Sequence, residues 1–314
     1  MPAAARSSHG QLGPLPLARA ALDRDAERRL EPDLFQRLLG DPRTRVLGLR
    51  GSSARTDGDL NLLLRPPLPT DRDQLVVYLG RDGDHTAYLG VVEAEPDDGV
   101  TGGTGATLRE LGPLLTDRDA GLFTTLLALA NWHATHTHCP QCGTPTEATN
   151  AGWVRRCPAD GSDHYPRTDP AVIVAVVDAE DRLLLARGPA WPERSYSVLA
   201  GFVEPGEPLE AAVHREVREE VGVELAEVTY LGNQPWPFPC SLMVGFTARA
   251  TSTELRPADP EIQDATWLTR TELQRRLRDG SLLISGRLSI ARALVEHWYG
   301  GRLAPPTEQV TARG

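Results

Sequence analysis

A mixed α/β chain is predicted, strand-rich in its first third and alternating between strands and helices in its last half. Three observations predict it. Between residues 21 and 115, short apolar runs at 45–50, 60–64, 75–79 and 86–92 are separated by turn residues, the pattern of a β-rich domain. From 117 to 133 the apolar residues fall at helical period, with Leu122, Leu126, Leu129 and Ala130 on one side and no proline. From 171 onward, strand-length apolar runs (171–178, 182–187, 197–202, 226–231, 241–250 and 265–269) surround a charged helical stretch. Residues 287–299 then close as an amphipathic helix carrying Ile290, Leu294 and Trp298.

The elements assemble in order. Residues 1–20, rich in Pro, Ala and Gly, read as a loose leader, and 21–135 as the N-terminal domain. The TGGTG run at 101–105 reads as a flexible loop; neither a strand-to-helix context nor a lysine follows, so it is no phosphate loop. Residues 136–168 hold two knuckle-like turns, 169–300 form the catalytic domain, opened by a hairpin of near-continuously apolar, buried strands, and 301–314 read as a flexible tail. At 314 residues the chain can bury about two cores. Hydrophobic content of 40% and charged content of 24% are globular values. The longest apolar run, at 171–177, is too short to span a bilayer, and no apolar signal segment opens the chain, so a cytoplasmic protein without membrane association is expected. All 33 basic residues are arginine, which excludes Schiff-base and P-loop lysine chemistry. The net charge of −10 argues against broad affinity for nucleic-acid backbones.

The most informative run is 201–223, GFVEPGEPLEAAVHREVREEVGV. Glu216, Glu219 and Glu220 stand at i, i+3 and i+4, so on a helix their carboxylates share one face. Like charges gathered there repel, and a divalent cation would neutralise them; Mg²⁺ or Mn²⁺ is held by such a set together with substrate phosphates. Gly201 and Gly206 allow close backbone approach, Gly222 stops the helix, and Arg215 can brace Glu207 bidentately. At every defining position, from Gly201 and Glu207 through Arg215-Glu216 to Glu219-Glu220 and Gly222, this run resembles the signature box of the Nudix hydrolases. The resemblance implies an α/β/α sandwich, metal-assisted cleavage of a nucleoside diphosphate linked to another group, and Glu216, Glu219 and Glu220 as metal ligands. Either Glu219 or Glu220 is the expected base.

Downstream, Gln234-Pro235-Trp236-Pro237-Phe238-Pro239-Cys240-Ser241 alternates prolines with aromatics. Each proline removes a ladder donor, so this is a stiff loop presenting two rings suited to stacking on a base. After a Nudix box it is similar to the QPWPFPxS motif of the NADH pyrophosphatase subfamily, with Asn233 where that motif usually begins with Ser.

Upstream, Cys139, Cys142 and Cys157 have the spacing of a zinc ribbon, C-x2-C-x14-C-x2, with Asp160 where a fourth cysteine would stand. Asp160, Asp163 or His164 could complete a tetrahedral site for one structural Zn²⁺. His133, His136 and His138 are read as packing or solvated histidines.

The subfamily resemblance implies further site residues. Glu261 matches a distal acidic metal ligand, Ala200 a backbone carbonyl beside the metal, Tyr165 and Phe202 aromatic nucleotide contacts, and Ala291 a contact from the last helix. Arg109 corresponds to a phosphate-facing arginine. The implied activity splits NAD(H) into nicotinamide mononucleotide and AMP, with NAD-capped RNA as a further substrate and a homodimer as the assembly. Two rivals stand beside it: a broader Nudix hydrolase of ADP-ribose or diadenosine polyphosphates, and a non-catalytic zinc-ribbon nucleic-acid adaptor.

Overall fold

The computed structural model describes residues 12–93, 104–257 and 261–303. The chain divides into two compact units, one of Pro16–Thr168 with Pro235–Ser241, the other of Met1–Leu15, Asp169–Gln234 and Leu242–Gly314.

The first unit begins with helix α1 (Leu34–Gly40) and the strands β1 (Arg45–Arg50), β2 (Ser53–Thr56), β3 (Leu75–Arg81), β4 (Ala87–Val92) and β5 (Thr104–Thr107). They form one sheet in the order β3-β4-β1-β2-β5, parallel between β1 and β4 and antiparallel elsewhere. Leu34, Leu38, Val46, Val76, Tyr78, Leu89 and Val91 build a core on it. Helix α2 (Leu108–Leu111) starts at a reciprocal cap between Thr107 and Glu110, and α3 (Asp117–Thr135) is capped by Thr116, whose side chain accepts from the Asp119 amide. α3 buries the expected Leu122, Leu126, Leu129 and Ala130, and with them Phe123, Leu127 and Trp132. A Cβ at Gly90 would overlap Leu126 and Val77, so glycine allows the helix its close approach to the sheet. A small antiparallel ribbon follows, of β6 (Glu147–Thr149), β7 (Val154–Arg156) and β8 (Asp163–His164).

In the second unit, β9 (Asp169–Val177), β10 (Leu183–Arg187), β11 (Ser195–Tyr196) and β12 (Leu199–Phe202) precede helix α4 (Leu209–Val221). β13 (Leu225–Trp236), β14 (Ser241–Ala250), β15 (Asp264–Leu268), α5 (Arg270–Arg278), β16 (Leu283–Ile284) and α6 (Ile290–Tyr299) complete it. The main sheet runs β13-β14-β9-β10-β15, with β12 antiparallel to β9. Alternation along β9 divides the core into two layers. Ile173, Ala175 and Val177 meet Leu273, Leu277, Ile290, Leu294 and Trp298 of α5 and α6. Val172, Val174 and Val176 meet Ala212, Val213, Val217 and Val221 of α4. This is the expected α/β/α sandwich, and burial on both faces explains why β9 reads as a continuous apolar run.

Several expectations are corrected. Residues 60–64 form no strand, only a single bridge between Leu62 and Thr56. Of the expected flexible loop at 101–105, residues 101–103 lie outside the described residues, while Thr104 and Gly105 belong to β5 and pair with β2. Residues 1–11 of the expected leader and 304–314 of the expected tail also lie outside the described residues. Residues 12–20 are not loose. The Leu12 amide donates to Leu231 O at 2.8 Å, Leu15 and Leu17 are buried, and Arg19 donates to the Leu115 and Gly112 carbonyls. Burying the leucines offsets the ordering entropy that the composition of this stretch suggested would prevail. β13 extends to Trp236 and includes Pro235, which an edge strand tolerates.

Candidate active site and zinc ribbon

Helix α4 begins after Pro208 and ends at Gly222, whose φ of 71° is the left-handed stop that glycine favours. The helix buries its valines, which leaves Glu216 and Glu219 to project from another face. Arg215 organises them. Its Nε and Nη2 grip the two Glu207 oxygens at 2.8 and 2.9 Å, the bidentate brace read from the sequence. Nη1 donates to Glu216 at 2.9 Å and Glu219 at 3.2 Å, and Nη2 also donates to the Phe202 carbonyl at 2.9 Å. One guanidinium thus ties the loop before the helix to the glutamates and to β12.

The glutamates differ in environment. Glu220 is buried, Glu219 is half exposed, and Glu216 is mostly buried against β12. Burial pushes the Glu216 carboxyl above its usual range, opposed by the hydrogen bond from Arg215, whereas Arg215 holds Glu207 below it. A Cβ on Gly201 would overlap the Glu216 carboxyl group. Gly201 was expected to make room for a ligand; it makes room for a side chain of the protein itself. Glu216 and Glu219, joined by one arginine, and buried Glu220 on the same helix are oxygen donors of the kind that could hold a hard divalent cation.

In the ribbon, Cys139, Cys142, Cys157 and Asp160 bring four ligand atoms within 4.8 Å of one another. Two matching turns do this. Gly143 N donates to Cys139 O and Gly161 N to Cys157 O, both at 2.9 Å, and both glycines have φ near 74° and 73°. The second turn therefore puts Asp160 in the place of the first turn's Cys142. Ser162 donates to Asp160 Oδ1 from its amide at 2.9 Å and its hydroxyl at 2.6 Å, which holds this carboxylate ionised well below its usual range. Asp163 is engaged elsewhere, in a fork with Arg156, and His164 meets the Ser162 hydroxyl at 3.1 Å. Of the three candidates left open by the sequence, Asp160 is the one grouped with the thiols. Three sulfurs and one carboxylate suit Zn²⁺. Among the described residues, the box glutamates are not gathered this tightly. His133 is buried, with Nε2 at 2.9 Å from Gly152 O and Nδ1 accepting from Arg155, and His138 is exposed.

The loop Pro235–Ser241 belongs with the N-terminal unit. Trp236 and Phe238 meet edge to face, with centroids 4.9 Å apart at 73°. The Arg109 guanidinium lies 3.9 Å from the Phe238 ring centre and 5.3 Å from that of Trp236.

Residues 167–283 match the NUDIX domain family, and residues 134–165 match the NADH pyrophosphatase zinc ribbon domain family. Over 205 residues the chain is 41% identical to a protein named NAD-capped RNA hydrolase NudC from Stutzerimonas stutzeri (strain A1501), covering 64% of this chain and 71% of that one. The chain belongs to the Nudix hydrolase family. A Mycobacterium bovis (strain BCG / Pasteur 1173P2) protein of the same name is 46% identical over 200 residues, 61% of this chain. The match spans 64% of that relative's length, just under two thirds. NAD-capped RNA hydrolase NUDT12 of Macaca fascicularis is 39% identical over 196 residues, 59% of this chain and 42% of its own.

The remaining Nudix-derived residues fall into two groups. Tyr165 and Phe202 are exposed, at 67% and 60%, and Ala200 pairs across the sheet with Ile173. Glu261 precedes β15 with its carbonyl against Gly188. Pro235, Trp236, Phe238, Cys240 and Ser241 are half-buried, Pro239 is exposed and Pro237 is buried. Two further expected contacts lie in the core. Gln234 is fully buried and its side-chain nitrogen donates to the Leu288 carbonyl at 2.9 Å. Ala291 lies in the α6 core layer at 4% exposure. Sequence reasoning missed Ser162, although an Asp followed two residues later by Ser is a readable turn signal. It also missed Asn131, which bonds to the aromatic loop more than a hundred positions away and leaves no local trace.

Proposed function

We propose that this protein hydrolyses the pyrophosphate of NAD(H) to nicotinamide mononucleotide and AMP, and removes the same group from NAD-capped RNA. The observation that carries the reading is the Arg215 network, which orients Glu207, Glu216 and Glu219 around one cation-competent site in a chain that also has a zinc ribbon and a Trp-Phe loop. The names of the similar proteins support it.

Glu216, Glu219 and Glu220 would hold Mg²⁺ or Mn²⁺, with Glu261 and the Ala200 carbonyl assisting. When bound, such a cation neutralises phosphoryl oxygens and acidifies water. Glu219 or Glu220 takes the proton of the attacking water. Its oxygen joins one phosphorus as the bridging P–O bond breaks, and the other phosphate leaves with its nucleoside. Arg215 keeps the carboxylates oriented and does not touch the reacting atoms. Trp236, Phe238, Phe202 and Tyr165 stack on the bases, and Arg109 adds a cation beside the first two. The ribbon would bind one structural Zn²⁺ through Cys139, Cys142, Cys157 and Asp160. The working assembly is a homodimer in the cytoplasm.

The test is a side-by-side assay of the pure protein on NADH, NAD⁺, ADP-ribose, diadenosine polyphosphates and NAD-capped RNA, with Mg²⁺ and with Mn²⁺. Preference for the NAD-containing substrates is expected. Equal or faster turnover of ADP-ribose would favour the broader hydrolase, and RNA binding without turnover would favour the adaptor.

A further inference from the structure

Near the C-terminal end of α3, Asn131 Nδ2 donates to two backbone carbonyls of the aromatic loop, Pro237 O at 3.0 Å and Pro239 O at 3.1 Å. An amide nitrogen carries two hydrogens, so both bonds form at once. The acceptors flank Phe238. Prolines at 235, 237 and 239 remove three of this segment's own donors, and the strand ladder stops between the end of β13 at Trp236 and the start of β14 at Ser241. Its internal backbone bond runs from Phe238 N to Trp236 O at 2.7 Å, a tight turn about Pro237. The α3 amide adds two bonds to this turn from outside it. Arg109 then packs on the Phe238 ring so placed.

We propose that Asn131 is a positioning residue for base recognition: by clamping the carbonyls on both sides of Phe238 it sets the directions of the Trp236 and Phe238 rings. The inference rests on the pyrophosphatase reading for its kinetic consequence, and not for its structural one.

Asn131→Asp keeps the side chain's size and replaces the donor pair with an oxygen that repels both carbonyls. Asn131→Ala removes the donors without adding charge, and Asn131→Gln restores an amide. Hydrogen exchange followed by mass spectrometry should show the peptide over 235–241 exchanging about ten-fold faster in the Asp and Ala variants, with the α4 peptide unchanged and the Gln variant nearer wild type. KM for NADH should rise about ten-fold while kcat stays within about three-fold, the scale of one lost stacking contact. Unchanged loop exchange in both disruptive variants overturns the proposal whatever the kinetics. A wild-type protein inactive on NADH, NAD⁺ and NAD-capped RNA defeats the pyrophosphatase reading instead, and the exchange measurement still decides the role of Asn131.

Discussion

Gly201→Ala separates function from stability at this site. A methyl on Gly201 would occupy the space of the Glu216 carboxyl group, overlapping its carbon and both oxygens. Ordinary carbon–carbon contact is about 3.5 to 4.0 Å, so the carboxyl must retreat by more than about an ångström. It is the far end of a flexible side chain, so it can swing away at small cost, losing its 2.9 Å bond to Arg215 and its seat against β12. Gly201 does not need a left-handed φ, and alanine reduces the freedom of the unfolded chain by roughly 0.4 to 1 kcal/mol, which offsets part of the loss. The melting temperature should therefore change by only a few degrees. Activity should not be spared. Misplacing a catalytic group by about 1 Å costs on the order of 10²-fold, or about 2.7 kcal/mol of transition-state stabilisation. Steady-state hydrolysis of NADH, measured across Mg²⁺ and Mn²⁺ titrations, should show that loss together with a higher metal requirement. Activity within three-fold of wild type, in a folded variant, would refute the assignment of Glu216 as a metal ligand seated over Gly201.

Other outcomes follow from the same geometry. Glu220→Gln should lower kcat by about 10²-fold or more while far-UV circular dichroism stays unchanged, since shape and helix propensity are kept. Cys142→Ser should release zinc and lower the melting temperature with only indirect effects on turnover; elemental analysis of the wild type, purified without chelator, should find about one zinc per chain. Trp236→Ala should lower kcat/KM for NADH by about ten- to hundred-fold with metal affinity unchanged, and ADP-ribose hydrolysis should fall much less if the ring stacks on nicotinamide. Burial lowers the His133 pKa below its usual 6.5, so the folded state binds this proton more weakly than the unfolded chain. Its neutral form therefore supports stability above about pH 6.5, and that support is lost as pH falls below it. Melting curves from pH 7.5 to 5.5 should fall more steeply for wild type than for His133→Gln, which stays neutral throughout.

Much of the candidate site lies within one stretch of chain, and that is why it was readable. The helix brings Glu216 and Glu219 to one guanidinium while Glu220 is buried beside the valines, and the Arg215–Glu207 fork spans only eight positions. The ribbon is similarly local: two short turns of the same design present their ligands, so the paired knuckles were legible before any tertiary contact was known. Apolar period likewise announced α3 and α6, and a continuous apolar run announced β9, whose two faces are both buried.

What the sequence by itself determined, then, is the chemistry encoded by local spacing: a box of carboxylates on one helix, a ribbon of three thiolates with its fourth ligand open among Asp160, Asp163 and His164, and a proline-stiffened aromatic loop. Tertiary structure decided the rest, because it depends on which distant segments meet. Choosing Asp160 over Asp163 and His164 required Arg156 to engage one rival and the turn geometry to present Asp160 to the thiols. Burial of Gln234 and Ala291 follows from the packing of β13 and α6, and no side-chain pattern distinguishes a buried amide from a ligand-facing one. Residues 104–107 joined the sheet despite glycine because β2 offered an edge, and residues 12–20 became ordered because leucines at 15 and 17 found cores to enter. Those partners exist only once the chain is folded, so their energies cannot be read from neighbours in sequence.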